Sequence, residues 1–581
     1  MGKSCWLVLL LFAFLGCAPQ KQESFLPLAE EFVYSSLAFS PVSATGVGYH
    51  RHQGKNLDEM LDDLSPAALE AQRRFYRQFQ ERLSKLAPDQ LSSEDRADYD
   101  IVSDQIALAL LELERIQSYR HNPTFYVELL GNAFFQPHML EYAPLEERVR
   151  HIIARLEKGP AFLEQAKKNL ADSPEIWITV AIEENDGNIR LIDKTIRGTV
   201  PEPQRAAYER AAAGALEALR AFNVYLKNEL AARTSDWRLG KETYPLKFRY
   251  ALGTGRAPKQ VLASAEADLK SVREKMYQLA LPLHRKWYPA HPDHADQNVL
   301  IGETLARIAD RHATPDTYMA DAKRDLEEAR AFVRSRNLLA LPPRDNLSVI
   351  PTPEFVRGIY AVGGFMSAPA LEPQLGAFYW VTPIPKDWPK QRISSKLREY
   401  NFYKLKLLTI HEAMPGHYVQ FEYANDVQPK ARRVVRAVLG NGPYVEGWAQ
   451  YATETLLEAG FLDNAPELRL TFQKEELRVI GNVILDIRLH TLGMTDQQAL
   501  DLMIKDTFQE TEEATAKLRR AKLSSCQLPT YYVGWRDWQR LREQYQKSKG
   551  AEFRVAEFNE RALKTGAVPL PVLARLLGVG Q

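Results

Sequence analysis

The spacing of apolar residues limits what this chain can fold into more than any other feature. From about residue 25 onward they recur at intervals of three and four, the period of a helix with one buried face. Ser65–Leu86 and Ser93–Tyr119 carry the pattern clearly, and Ser92 followed by Asp95 is a capping start for the second. It returns near 144–170, 203–233, 258–287 and 315–337. Interleaved charges such as Arg324-Asp325-Leu326-Glu327-Glu328 read as solvated helix faces. Alanine-rich Arg205–Arg220 is helix scaffold on the same grounds.

One interruption is long. Between about 346 and 392 prolines recur at 351, 353, 369, 373, 383, 385 and 389, with glycines at 358, 363, 364 and 376. Two β-prone pieces, Leu347–Ile350 and Ala377–Thr382, fall inside it. The expected fold is therefore mainly α, a large multi-helix architecture with a small β hairpin or sheet near 346–392. By texture the chain divides into a leader at 1–16, a helical region at 17–345 and a region at 346–581 that holds the chemistry. The last two are expected to pack as one large unit.

The chain has 581 residues, 45% of them apolar, enough to bury a large core. Lys plus Arg number 75 against 74 Asp plus Glu, with no basic stripe, so nothing points to nucleic acid. Lys3 and the apolar run Cys5–Gly16 form an export signal, too short for a permanent membrane span. Its end, Phe14-Leu15-Gly16-Cys17-Ala18, resembles the bacterial lipobox, in which Cys17 would be lipidated and become the first mature residue. Phe14 and Leu15 depart from the commonest form of that motif. An exported, membrane-anchored envelope protein is the expectation. Of three cysteines only Cys526 remains after the leader, so the mature chain has no internal disulfide and no cysteine metal site.

The densest chemistry is His411-Glu412-Ala413-Met414-Pro415-Gly416-His417, followed by Glu446-Gly447-Trp448. A catalytic zinc takes three protein ligands and leaves a position for water, and two His with one Glu is a normal set. Histidines four apart on a helix share a face; six apart they sit roughly 120° and about 9 Å from each other. A straight helix would not bring His411 and His417 to one ion. Pro415 removes an amide donor and clashes with the carbonyl of His411, and Gly416 frees the backbone, so a local break could swing His417 back. A proline-glycine helix end with a core histidine is the plainer alternative. Against it, only three of twelve histidines follow His312, namely His411, His417 and His490, and all lie in these segments.

Glu446 is the third expected ligand, set in a second helix after the turn Leu439–Pro443 with Asn441 as cap and Pro443 near its start. Alone, a first-turn glutamate would simply complement the helix dipole. Glu412 is placed to take a proton from water whose pKa zinc lowers. Downstream, Asp486 and His490 are four apart on one helix face, so His490 is a candidate oxyanion donor with Asp486 orienting it. Tyr531 is a second candidate donor. His291-Pro292-Asp293-His294 reads as a proline-bounded loop rather than a further metal site.

Together these segments resemble bacterial domain-of-unknown-function family 885, a zincin-like group. The marks are HEAMPGH at 411–417, EGWAQY at 446–451, Asp486 to His490 and Tyr531 to Gly534. The resemblance implies a mainly helical metallopeptidase-like fold, Zn2+ at His411, His417 and Glu446, and Glu412 as base. Tyr418 stands where members often carry another histidine, and Arg488 where they tend to have Gly.

The reading is an exported, lipid-anchored zinc hydrolase that cleaves peptides or small amides in the cell envelope. The segment 376–382 is expected to offer an edge strand to an extended peptide. Two alternatives stay open: a non-catalytic helical lipoprotein that binds a partner or small ligand, and a zinc hydrolase acting on a non-peptide amide or ester. No Gly-x-Ser-x-Gly elbow, Walker A loop or Gly-x-Gly-x-x-Gly fingerprint is present.

Overall fold

Helices account for most of the computed structural model, which describes residues 24–290, 296–354, 357 and 362–579. The leader, Cys17 and the loop at 291–294 lie outside the described residues. Helices occupy Pro66–Ser84, Ser93–Leu111, Leu145–Asn169, Glu202–Asn228, Pro258–Trp287 and Tyr318–Arg336, close to the ranges read from the apolar period. The Ser92 hydroxyl accepts from the Asp95 amide at 3.1 Å, an N-cap that fixes where the second of these begins. No described helix is long and apolar enough to cross a membrane.

The apolar interior does not divide at residue 345. One core gathers Phe32, Leu83, Ile101 and Met276 from the N-terminal part with Ile410, Trp448, Ile480 and Trp538 from the C-terminal part. A second core, including Phe134, Leu156, Ile192 and Leu219, lies within residues 42–230 and is joined by Trp380. Buried ion pairs stitch distant segments across the first core. Asp98 accepts from Arg432 at 2.7 Å and Arg436 at 2.6 Å, and Lys406 donates to Asp325 at 2.6 Å.

The proline-rich interruption forms a three-stranded sheet: β1 (Leu347–Pro351), β2 (Gly363–Met366) and β3 (Ala377–Val381). Its order is β1-β3-β2, with β3 parallel to β1 and antiparallel to β2. The expectation that 376–382 offers an open edge is therefore corrected. That segment is the central strand with both its edges paired, and β1 and β2 are the outer strands. Burial explains the placement, since Ala377, Tyr379, Trp380 and Val381 are enclosed.

Six helices frame the chemistry: α1 (Phe402–Glu412), α2 (His417–Ala424), α3 (Gly442–Glu458), α4 (Pro466–Thr491), α5 (Thr511–Leu523) and α6 (Pro529–Lys549). The link from His417 to Glu446 holds one more helix than expected, Lys430–Leu439, because α2 stops at Ala424 and Pro429 restarts the chain. Tyr379 ties the sheet to α1 through a hydroxyl contact with Thr409 at 3.2 Å.

α3 and α6 cross with almost no side chain between them. A Cβ on Gly534 would lie 2.0 Å from the Pro443 carbonyl oxygen, and one on Gly447 would lie 2.4 Å from the Gly534 carbonyl carbon. Glycine at both positions is thus a packing requirement, and the crossing sets Glu446 and Tyr531 on facing helices. Gly447→Ala is expected to lower unfolding stability by about 1–3 kcal/mol, as overpacked cores do. Gly214→Ala, where a Cβ meets nothing within 4 Å, is expected to be neutral or stabilising by up to about 1 kcal/mol. Denaturant melts of the two variants check the contrast.

Candidate metal centre

α1 starts where Asn401 caps it, its side-chain oxygen accepting from the amides of Tyr403 at 3.1 Å and Lys404 at 3.2 Å. It ends at Glu412, three residues before the proline. The Met414–Pro415 peptide is cis, and the Gly416 amide donates back to the Ile410 carbonyl at 3.0 Å. A Cβ at Gly416 would sit 1.8 Å from the His411 carbonyl oxygen, so only glycine fits this turn. The Trp448 indole donates to the carbonyls of Pro415 at 2.9 Å and Gly416 at 3.2 Å. His417 then opens α2, and its ring lies 4.8 Å from that of His411 at 82°. The helix breaks, and the two imidazoles meet.

Glu446 comes from the second turn of α3, whose start is fixed by the Asn441 side chain accepting from the Tyr444 amide at 2.9 Å. Its Oε2 stands 3.4 Å from the Nε2 atoms of both His411 and His417. Ligand atoms of the three residues lie within 4.8 Å of one another. Two details bear on whether a metal fits. At 3.4 Å the contacts are longer than good hydrogen bonds, and Glu446 Oε2 is buried with no hydrogen-bond partner. For zinc bonds of about 2.0–2.2 Å, the edge of a tetrahedron is roughly 3.4 Å. The donor set suits zinc, and the two Glu446–histidine separations match that edge.

Electrostatics point the same way. Burial opposes charge on Glu446, but the two imidazoles outweigh it and hold the carboxyl far below the usual range. Burial likewise disfavours charged His417, yet Glu446, with a smaller contribution from Glu412, raises its pKa. A concentrated negative charge between two imidazoles suits a cation.

The triad opens onto a cavity of about 350 Å³ that also takes in Glu412 and Tyr531. Glu412 is buried, and no described side chain hydrogen-bonds it. The Tyr531 ring lies 6.4 Å from that of His411, and burial pushes its hydroxyl pKa well up, so it stays protonated. Phe365 of β2 stacks 6.2 Å from His417 and brings the free strand side to the cavity.

His490 and Asp486 are not brought there. The His490 Nε2 donates to the Ser524 carbonyl at 3.0 Å, and its Nδ1 accepts from the Leu239 amide at 3.3 Å. With both nitrogens used and Tyr244 and Trp237 packed on the ring, it has no face toward the cavity. Asp486 accepts from the Tyr244 hydroxyl at 2.6 Å and the Cys526 amide at 3.0 Å, away from His490. These two belong to a buried polar cluster in the core.

The model of the family described as bacterial proteins of unknown function (DUF885) matches residues 41–577. The chain belongs to this family. A solved structure from Shewanella oneidensis, described as a candidate lipoprotein of unknown function, is 29% identical with a TM-score of 0.79, covering 96% of this chain and 100% of that one. Another from Colwellia psychrerythraea, described as a candidate lipoprotein, is 18% identical with a TM-score of 0.76 over 95% of this chain and 98% of that one. No curated protein matches.

Sequence reasoning missed the far wall of the cavity in this DUF885 protein. Lys404, Glu475, Arg478, Glu513, Lys517 and Arg520 line it. Lys404 sits seven residues before His411, nearly the same face of α1, and Glu475, Arg478 and Asn482 share a face of α4. Polar residues at that spacing on one face of α4 were the available signal. Lys404 pairs closely with Glu475, and Arg478 donates to Glu513 at 2.5 Å.

Burial opposes charge on Glu475, but Lys404 and Arg478 draw its pKa down to about 2 from 4.5. A carboxyl depressed in the folded state stabilises above its unfolded pKa and loses that contribution as pH falls through the folded one. The stability gap between wild type and Glu475→Gln is therefore expected to be full near neutral pH and to shrink between about 4.5 and about 2. Denaturant melts across that range measure it.

Proposed function

We propose that this chain is a zinc-dependent hydrolase of the cell envelope, of zincin-like architecture, acting on peptides. The observation that carries the reading is the triad His411, His417 and Glu446, brought together by the break at Pro415-Gly416 on the wall of a cavity. A bound zinc would supply Lewis-acid polarisation of a carbonyl and water acidified to near neutrality.

The residues would divide the remaining work. Glu412, buried at the cavity wall without a hydrogen-bond partner, takes a proton from water and later delivers it to the leaving amine. Tyr531, kept protonated, donates to the oxygen on which negative charge develops. The free side of β2, at Gly363-Gly364-Phe365, offers backbone groups to an extended peptide. Glu446 stays charged and fixes both imidazoles.

Export and anchoring through a lipid on Cys17 are part of the same reading. They rest on the leader sequence and on the description of two similar structures as candidate lipoproteins. A zinc hydrolase of a non-peptide amide would use the same groups, whereas β2 beside the triad favours a peptide.

Incubation of the zinc-loaded mature protein with a mixed peptide library, read by mass spectrometry, tests the reading; unchanged peptides would overturn it. Glu412→Gln is expected to keep the metal and lower turnover by about 10²–10⁴-fold. Tyr531→Phe should lower kcat by roughly 10²–10³-fold with metal content unchanged. Wild-type turnover in either variant removes that residue from its role.

A further inference from the structure

The cavity has two chemically distinct ends. At one lie the triad, Glu412 and Tyr531, with Arg520 beside that tyrosine; at the other, three basic side chains, Lys404, Arg478 and Lys517, meet two carboxylates, Glu475 and Glu513. Both carboxylates are committed: Glu475 to Lys404 and Arg478, Glu513 to Arg478 and, at 3.7 Å, to Lys396. Arg520 donates to Gln527 at 3.1 Å. Lys517 stands apart. It is 7% exposed, its ammonium donates to the Asn482 side-chain oxygen at 3.0 Å, and no described carboxylate comes within 4.0 Å of it. Burying an ammonium against a neutral amide is costly without an anion nearby. Burial duly pushes its pKa well below the ordinary lysine value. Glu513 and Glu475 act on it only through space and are already paired with other cations, and the cavity is open to a ligand.

We propose that this wall, centred on Lys517, binds a carboxylate of a short peptide. The group is the C-terminal carboxylate or that of an acidic side chain near it. This rests on the peptide-hydrolase reading for what happens at the other end of the cavity, and the binding itself does not depend on it. Distance sets the register. Lys404 and His411 are seven residues apart on α1, about 10 Å along its axis. An extended chain covers about 3.3–3.6 Å per residue, so about three residues span the separation of Lys404, on this wall, from His411. The cavity thus selects short peptides, or the ends of longer ones, over internal segments.

The test is equilibrium dialysis of the mature protein, zinc-loaded and metal-stripped, against one mixed tetrapeptide library in three forms. These are free acid, C-terminal amide, and amide with Glu as the last residue. The account expects the metal-stripped protein to retain free acids at least tenfold over plain amides. Lys517→Met should bring that ratio within twofold, and Lys517→Arg should restore it. Retention of the Glu-ended amides identifies a side-chain carboxylate as a source; their loss restricts the site to the C-terminus. Equal retention of free acids, Glu-ended amides and plain amides by the wild type, including none of any, overturns the proposal. Retention of carboxylates without cleavage by the zinc-loaded protein leaves this site standing and removes the hydrolase reading. Cleavage indifferent to the carboxylate does the reverse.

Discussion

The rest of the site depends on one backbone reversal. Two histidines six residues apart can meet only if the helix between them is broken, and Pro415-Gly416 breaks it within four residues. The turn closes because Gly416 has no Cβ to strike the His411 carbonyl, 1.8 Å from where one would be. Breaking a helix frees carbonyls that must find donors. Trp448 donates to the Pro415 carbonyl and adds a second donor to that of Gly416, which also accepts from the Gln420 amide, and it sits two residues after Glu446 on α3. The group that heals the break therefore also delivers the third member of the triad. Gly447, between them, allows α3 to press against Gly534 of α6 and sets Tyr531 across the cavity. The string Glu446-Gly447-Trp448 is thus three adjacent answers to one geometric problem.

The far wall obeys a different constraint. Lys404, Glu475 and Glu513 are buried ions and Arg478 is half-buried, and pairing offsets their desolvation without making them a strong source of stability. Packed apolar side chains would serve the core at least as well. Their presence in a cavity beside Lys517, a further basic group with no carboxylate within 4.0 Å among the described residues, is better accounted for by what enters the cavity than by folding.

Much of this was legible in the sequence, and the misses have causes. Ser92 and Asn441 announced helix starts because their side chains replace missing backbone partners, a local matter. The meeting of His411 and His417 could be read because proline and glycine restrict and free dihedrals in known ways. Strand order could not: β-prone residues mark Ala377–Val381 as a strand, but only tertiary packing decides that it lies in the centre. The Asp486–His490 pair misled for a related reason. Helical spacing shows that two groups share a face, not which neighbour that face meets, and here the neighbours are Tyr244, Trp237 and backbone. Lys517 carried no sequence signal, since its isolation from carboxylates is a property of three helices packed together.

Whether His411, His417 and Glu446 hold a metal is decided by elemental analysis of the purified mature protein. Roughly one zinc ion per chain is expected, lost in both His411→Ala and Glu446→Ala while the helical content of each variant is retained. A wild-type protein that holds no zinc after reconstitution, or variants that hold as much as the wild type, would contradict it.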